Sequence, residues 1–180
     1  MHRWLVSLIG LAFLLTACSA GSSGGATGGG TSADDPTAAA LLAHELVDVR
    51  SGETFTLGEL AKDRPVLLET MAIWCTTCLS QEREVRRAHE LADFDSVGID
   101  ADPNESAGEL ANYADRQGFD WRFALADAEL VQLLTDAYGF AVINPPSTPT
   151  LVITSEGDVR PLEFGRVRSA DELIAELTSD

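Results

Sequence analysis

The sequence predicts one α/β domain in which helices flank a central mixed β-sheet. Short apolar segments alternate with amphipathic helical segments over residues 44–180, and a hairpin followed by a helix closes the chain. The alternating part favours parallel strands joined by helices, whereas the closing hairpin adds antiparallel strands. A length of 180 residues suits a single domain of ordinary size.

Residues 1–17 have the composition of a secretion signal and are not expected to belong to the fold. A positively charged start is followed by the apolar run Trp4–Leu15, which is shorter than the ~20 residues of a membrane-spanning helix. The run ends in Leu15-Thr16-Ala17-Cys18, which resembles a bacterial lipobox and makes Cys18 the predicted lipid-attachment site. The alternatives are an ordinary signal peptide or an uncleaved anchor, and each places the domain outside the cytoplasm at a membrane surface.

The segment after Cys18 is predicted to be a flexible tether. Residues 19–32 are made only of serine, alanine, glycine and threonine, which offer nothing to pack. We expect the tether to occupy residues 18–43 and the folded domain to occupy residues 44–180.

The strands are predicted from apolar runs bounded by turn residues. Leu46–Val49 and Thr54–Leu57 alternate around a polar turn and predict a small N-terminal hairpin. Pro65 introduces Val66–Thr70, a continuous apolar run typical of a strand buried on both faces. The later predicted strands are Ser96–Asp100, Trp121–Leu125, Thr150–Ile153 and Val159–Phe164.

The helices are predicted from apolar residues spaced three or four apart and from their end signals. A single turn is expected at Gly58–Ala61, and Ser169 with Glu172 predicts a capping box for the last helix. The other predicted helices are Thr76–Leu91, Glu105–Gln117 and Glu129–Tyr138.

The charge and the cysteine count exclude several classes of function. With 29 acidic and 12 basic residues, the formal charge of −17 opposes binding to nucleic-acid phosphates. Three cysteines are too few for a disulfide-dense scaffold or for a four-cysteine zinc site in one chain.

The chemistry is predicted at the two cysteines of the domain, Cys75 and Cys78. They lie two residues apart, just after a buried strand and at the start of a helix. The helix N-terminus should stabilise the thiolate of Cys75 and lower its pKa, leaving Cys75 as an exposed nucleophile and Cys78 as a shielded resolving thiol. The alternatives are a structural disulfide, a chance pair, or half of a zinc site, for which His44 and His89 are the only histidines of the domain.

These residues resemble a known family. Trp74-Cys75-Thr76-Thr77-Cys78 after a buried strand, with Thr148-Pro149 opening a later strand, looks like the thioredoxin superfamily. The lipobox leader and a central insertion at about residues 102–139 resemble its membrane-anchored extracytoplasmic branch, the TlpA-like thiol–disulfide oxidoreductases. The resemblance implies a thioredoxin-like fold with an N-terminal hairpin and a central helix/strand insertion.

The resemblance also implies roles for residues around the cysteines. Pro149 is expected to have a cis peptide bond and to face the disulfide, and the backbone of Thr148 is expected to pair with an extended substrate. The alternative is that Pro149 only starts a strand. Trp74 is expected to shield the disulfide and contact substrate, or merely to pack.

Glu69 lies six residues before Cys75, where thioredoxins place a buried carboxylate under the second cysteine. The resemblance implies that Glu69 exchanges a proton with Cys78 and that burial raises its pKa. The alternative is a carboxylate that points to solvent at a strand end.

The sequence therefore predicts an extracytoplasmic, lipid-anchored thiol–disulfide oxidoreductase with protein thiols and disulfides as substrates. We expect a monomer that binds no metal and needs no cofactor besides its redox-active disulfide. A membrane thiol transporter is its expected electron donor, and the family is linked to cytochrome maturation. The alternatives are a thiol peroxidase, disfavoured because Leu68 and Ala72 stand where its motif has proline and threonine, and a copper- or haem-assembly binding module.

One departure from the family bears on the direction of electron flow. Thr77 stands immediately before Cys78, where many family members have proline. Hydroxyl groups from Thr76 and Thr77 would stabilise a thiolate, whereas the acidic Glu69 and Glu82 oppose one. The sequence therefore leaves open whether the protein acts as a reductant or as an oxidant.

Overall fold

The structure is a computed structural model in which residues 35–179 are described. The predicted signal segment 1–17, Cys18 and most of the predicted tether lie outside the described residues.

The described strands form two sheets. A five-stranded sheet has the order β5-β4-β3-β6-β7, with β3, β4 and β5 parallel and β6 antiparallel to both of its neighbours. A separate antiparallel hairpin pairs β1 with β2. The strands are β1 (Glu45–Val47), β2 (Thr54–Thr56), β3 (Val66–Met71), β4 (Asp95–Asp100), β5 (Arg122–Leu125), β6 (Thr150–Ile153) and β7 (Val159–Pro161).

Helices cover both faces of the larger sheet. The helices α3, α4 and α6 share one core cluster with that sheet, and α1, α2 and α5 share the other. The helices are α1 (Pro36–Ala43), α2 (Leu57–Ala61), α3 (Thr76–His89), α4 (Ala107–Gln117), α5 (Ala128–Tyr138) and α6 (Ala170–Leu177), with 3₁₀ turns at Phe140–Ile143 and Pro145–Ser147. The predicted mixed sheet with flanking helices is confirmed, and the predicted strands and helices are present with ends that differ by a few residues.

Strand β3 is the central strand and divides its side chains between the two cores. Leu67 and Met71 pack with the helices α3, α4 and α6, whereas Val66 and Leu68 pack with α1, α2 and α5. This alternation follows from the two-residue period of a strand. It places Glu69, which lies between Leu67 and Met71, on the face that α3 covers.

The last eight residues of the predicted tether belong to the folded domain. Residues 36–43, expected to be tether, form α1, whose Leu41 is buried in a core cluster. Asp35 caps the helix by accepting the Thr37 and Ala38 amides, and Pro36 occupies its first turn. The prediction was wrong because this alanine-rich segment has the small residues of a linker together with a high helix propensity.

Candidate active site

The Cys75–Cys78 pair lies between the end of β3 and the first turn of α3. The two cysteines form a disulfide with Cα atoms 5.3 Å apart. Cys75 is the N-cap of α3, with extended backbone angles of φ −78° and ψ 105°. The predicted placement of the pair after a buried strand and at a helix start is confirmed.

Two hydrogen-bond donors in the first turn of α3 lie close to the sulfur of Cys75. The Cys78 amide donates to Cys75 Sγ at 3.2 Å, and the Thr77 hydroxyl lies 3.3 Å from the same sulfur. Both groups would stabilise a thiolate at this position, together with the positive end of the helix dipole. Thr77 stands where many thioredoxin-like proteins have proline, and its hydroxyl lies close to Cys75 Sγ.

The expected contrast between an exposed Cys75 and a shielded Cys78 is wrong for the disulfide form. Each residue is only 3% exposed. The side chain of Cys75 turns back over the first turn of its helix, as its bond with the Cys78 amide shows. On the other side, Cys78 Sγ lies 3.1 Å from the carbonyl oxygen of Pro145.

Glu69 is buried and shares a cavity with Cys78, as the resemblance to thioredoxins implied. It is 6% exposed, and the Thr150 hydroxyl lies 3.5 Å from its Oε1. Burial, followed by the nearby Glu82 carboxylate, raises the pKa of Glu69 well above its usual value, although Thr150 and Arg168 oppose the shift. Burial therefore makes Glu69 a weaker acid than an exposed glutamate.

A small cavity connects Glu69 with Cys78. Its volume is about 10 Å³, which leaves room for one water molecule at most. Gln81, Thr148 and Pro149 also line it. The structure thus brings together four of the residues that the sequence assigned to the site.

The predicted cis peptide bond at Pro149 is wrong, because the described residues contain no cis peptide. Thr148 has left-handed backbone angles of φ 45° and ψ 56°, which turn the chain into β6 with a trans bond. The trans isomer is also the intrinsically favoured one for a proline. Pro149 still lines the cavity, and its carbonyl accepts the Thr70 amide at 3.2 Å.

The backbone groups of Thr148 have partners within the chain. Its amide donates to the Pro145 carbonyl at 2.8 Å, and its carbonyl accepts the Thr150 hydroxyl at 3.2 Å. Its own hydroxyl donates to the Arg166 carbonyl at 2.8 Å. An extended substrate that pairs with Thr148 would have to displace one of the two backbone bonds.

Trp74 lies at the rim of the site and is 57% exposed. Its indole Nε1 donates to Asp102 Oδ2 at 2.7 Å, and the preceding Ile73 amide donates to Glu105 Oε2 at 2.9 Å. Both acceptors belong to the loop between β4 and α4. The sequence did not single out this contact, although Asp102 lies two residues after the predicted strand Ser96–Asp100.

Two further buried acids lie near the site. Burial, together with the neighbouring Glu105 carboxyl, raises the pKa of Asp100 to about 8. Burial raises the pKa of Glu82 on α3 to about 8 as well. From the sequence, Glu82 was expected only to oppose a thiolate through its negative charge. Its spacing of four residues from Cys78 was the available signal, because residues i and i+4 share a helix face.

Among residues 35–179, no helix combines the length and the apolar character that a membrane crossing requires. Over the same residues, no three histidine, cysteine or acidic side chains gather closely enough to hold a metal ion. Cys18, the predicted lipid site, lies outside the described residues.

Comparisons with known proteins identify the fold. The chain is similar to a thiol:disulfide interchange protein of the thioredoxin family from Chlorobium tepidum, with a TM-score of 0.59 and 22% identity over 76% of this chain and 93% of that chain. It is also similar to a secreted Mycobacterium tuberculosis disulfide oxidoreductase homologous to E. coli DsbE (TM-score 0.56, 16% identity, 76% and 95% covered). A third similar structure is BsSco, of the Sco family of cytochrome c oxidase assembly proteins (TM-score 0.59, 15% identity, 76% and 90% covered).

No protein-family model matches the sequence, and a search of curated proteins finds no relative. The structural likeness shows a thioredoxin-like α/β fold, as the sequence predicted.

Proposed function

We propose that this protein is a thiol–disulfide oxidoreductase that exchanges disulfides with protein substrates through Cys75 and Cys78. The observation that carries the proposal is the position of the pair: the cysteines open α3, and a buried carboxyl lies across a small cavity from Cys78. The first feature stabilises a thiolate, and the second supplies a group that gives or takes a proton.

Cys75 is the nucleophile of the proposed reaction. In the reducing direction, its thiolate attacks a substrate disulfide, a mixed disulfide forms, and one substrate sulfur leaves with the electron pair. The Cys78 amide and the Thr77 hydroxyl, both within 3.3 Å of Cys75 Sγ, hold the negative charge before attack.

Cys78 resolves the mixed disulfide. Its thiol gives a proton to the Glu69 carboxylate, its sulfur attacks Cys75 Sγ, and the second substrate sulfur leaves with the electron pair. In the oxidising direction the same atoms move in reverse, and protonated Glu69 returns a proton to the departing Cys78 thiolate. The Pro145 carbonyl, 3.1 Å from Cys78 Sγ, would accept the hydrogen of the reduced thiol.

Substrate contacts are proposed at the rim of the site. Trp74 offers an exposed aromatic face next to Cys75, while the buried Thr148 and Pro149 line the cavity beside Cys78. A polypeptide that reaches Cys75 would lie between these two groups.

The setting of the reaction is proposed from the N-terminal sequence. Cys18 in its lipobox-like context would anchor a monomer to the outer side of the cell membrane, with residues from Ser19 onwards as the tether. A membrane thiol transporter would then supply electrons, and the disulfide itself would carry them without another cofactor.

The test is a disulfide-exchange assay with insulin and dithiothreitol on the full-length protein in detergent. Cys75→Ser should reduce exchange to the uncatalysed rate. Cys78→Ser should lose turnover but accumulate a mixed disulfide, because the nucleophile remains while the resolving thiol is gone. Cys18→Ser is the matched control, and it should keep full exchange while releasing the protein from membranes.

Wild-type exchange no faster than that of Cys75→Ser would overturn the proposed function. The reduction potential of the pair then fixes the direction: a value of about −270 mV indicates a reductant, and one of about −120 mV indicates an oxidant.

A further inference from the structure

Glu82 lies one helical turn after Cys78 on the buried side of α3. The two residues are four apart, a spacing that places their side chains on the same helix face. Glu82 is only 1% exposed. Glu69 projects from the sheet face that α3 covers, so two carboxyl groups approach each other across the contact between helix and sheet.

The two oxygens of Glu82 have different surroundings. Oε2 accepts a hydrogen bond from the Tyr113 hydroxyl on α4. Oε1 is buried without a hydrogen-bond partner. A carboxylate in this position would leave a charged oxygen unsolvated, which strongly favours a proton on the group.

Among residues 35–179, the charge of Arg168 lowers the pKa of Glu69 but does not offset the effect of burial. Burial raises the pKa of Glu82 and the Tyr113 hydrogen bond opposes the rise, while the charge of Arg83 acts on Tyr113. Burial also raises the pKa of Tyr113, so its phenol stays protonated and remains a donor. Two carboxylates in one buried space repel each other, and at most one of them ionises readily.

We propose that Glu82 is a positioning residue for proton transfer at Cys78, forming with Glu69 a coupled carboxyl pair that carries at most one negative charge. This inference rests on the proposed exchange function. Cys78 still delivers its proton to Glu69, and the sulfur–sulfur bond still forms between Cys78 and Cys75. Glu69 can accept that proton only when the single negative charge of the pair lies on Glu69 and Glu82 is neutral, so the share of the charge that Glu82 takes sets the pH at which Glu69 is available.

The coupling is tested by titrating carboxyl carbons by NMR in full-length protein labelled with ¹³C at glutamate side chains. In Glu82→Gln, the titration of Glu69 should move to lower pH, because a negative neighbour is lost. In Glu69→Gln, the titration of Glu82 should move to lower pH by a similar amount, because coupling between two sites is reciprocal. Glu90→Gln, at the exposed end of α3, is the matched control and should move neither.

A second measurement connects the coupling to the reaction. The rate at which Cys78 resolves a preformed mixed disulfide should fall in acid as Glu69 becomes protonated, and Glu82→Gln should move this fall to lower pH. Glu82→Asp keeps a carboxyl and should restore much of the wild-type profile. A merely structural role for Glu82 would change stability without moving the profile.

The inference is overturned if Glu69 titrates at the same pH in wild type and in Glu82→Gln, or if the pH profile of resolution does not move. Failure of the proposed function is a separate result. It would appear as exchange no faster than that of Cys75→Ser, whereas the carboxyl titrations need no activity and decide the coupling by themselves.

Discussion

The two faces of the five-stranded sheet are buried in chemically different ways. The face under α1, α2 and α5 is packed from apolar side chains such as Leu68, Leu130 and Leu134. The face under α3, α4 and α6 has a similar apolar cluster but also encloses the carboxyl groups of Glu69 and Glu82. Burying acids is costly, and the position of these acids beside the cysteines supports the chemistry proposed for this face.

Two adjacent leucines make the comparison testable, because Leu67 and Leu68 are both fully buried and face opposite cores. Leu68→Ala should lower the free energy of unfolding by about 2–5 kcal/mol through lost burial and the remaining cavity. Leu67→Ala should cost a similar amount. Urea unfolding of both variants at one pH measures these losses.

The two leucine variants should differ in their chemistry. The cavity left by Leu67→Ala opens on the face that holds Glu69 and Cys78, so added water should lower the pKa of Glu69 and move the pH profile of exchange to lower pH. Leu68→Ala should keep the wild-type profile in the folded protein. Equal shifts in both variants would show that the faces are not functionally distinct.

The next largest expected effect of the buried acids is on how the free energy of unfolding changes with pH. Burial raises the pKa of Glu82 from 4.5 to about 8, so the folded protein binds this proton more tightly than the unfolded chain does. The resulting stabilisation is complete below pH 4.5 and is lost as the pH rises through about 8. Between pH 5 and pH 9, wild type should lose about 2–4 kcal/mol more than Glu82→Gln, whose side chain stays neutral.

Urea unfolding across this pH range measures the loss. Asp100, whose pKa burial also raises to about 8, keeps its own contribution in the Glu82→Gln variant, so some alkaline destabilisation should remain. Glu90→Gln controls for the removal of one acidic residue from α3. Parallel stability curves for wild type and Glu82→Gln would contradict a neutral, buried Glu82.

Local features of the site were predictable from the sequence, whereas features set by distant contacts were not. The helix start at Cys75 follows from neighbouring residues, a continuous apolar strand followed by a helical pattern, whereas the burial of Glu69 was implied only by the resemblance to thioredoxins. The trans bond at Pro149 depends on the left-handed turn at Thr148, which a dipeptide does not specify.

The environment of Glu82 could not be predicted for a similar reason. Its hydrogen-bond donor, Tyr113, is 31 residues away on α4, and its other oxygen is isolated only when that helix packs against α3. The single turn of α2, by contrast, has a capping box between Thr56 and Glu59 that is visible in the sequence. Local hydrogen bonds can be inferred from spacing, but tertiary ones require the packed structure.

The smallest expected effect concerns Trp74 and Asp102, which lie at the rim of the site and outside both core clusters of the sheet. Asp102→Ala removes the acceptor of the Trp74 indole and frees an exposed side chain. Exchange with a protein substrate should fall about threefold, since one hydrogen bond orients the proposed contact surface. Exchange with a small disulfide such as oxidised glutathione should not change, because it reaches Cys75 without using Trp74.

Asp93→Ala is the matched control for this variant. Asp93 is likewise exposed and forms an ion pair with Arg64. It lies just before the start of β4, whereas Asp102 follows the end of that strand. Asp93→Ala should leave both substrates unaffected. If Asp102→Ala instead slowed exchange equally with both substrates, Asp102 would act on the cysteine pair through the backbone of residues 73–75. Trp74 would then have no role in substrate binding.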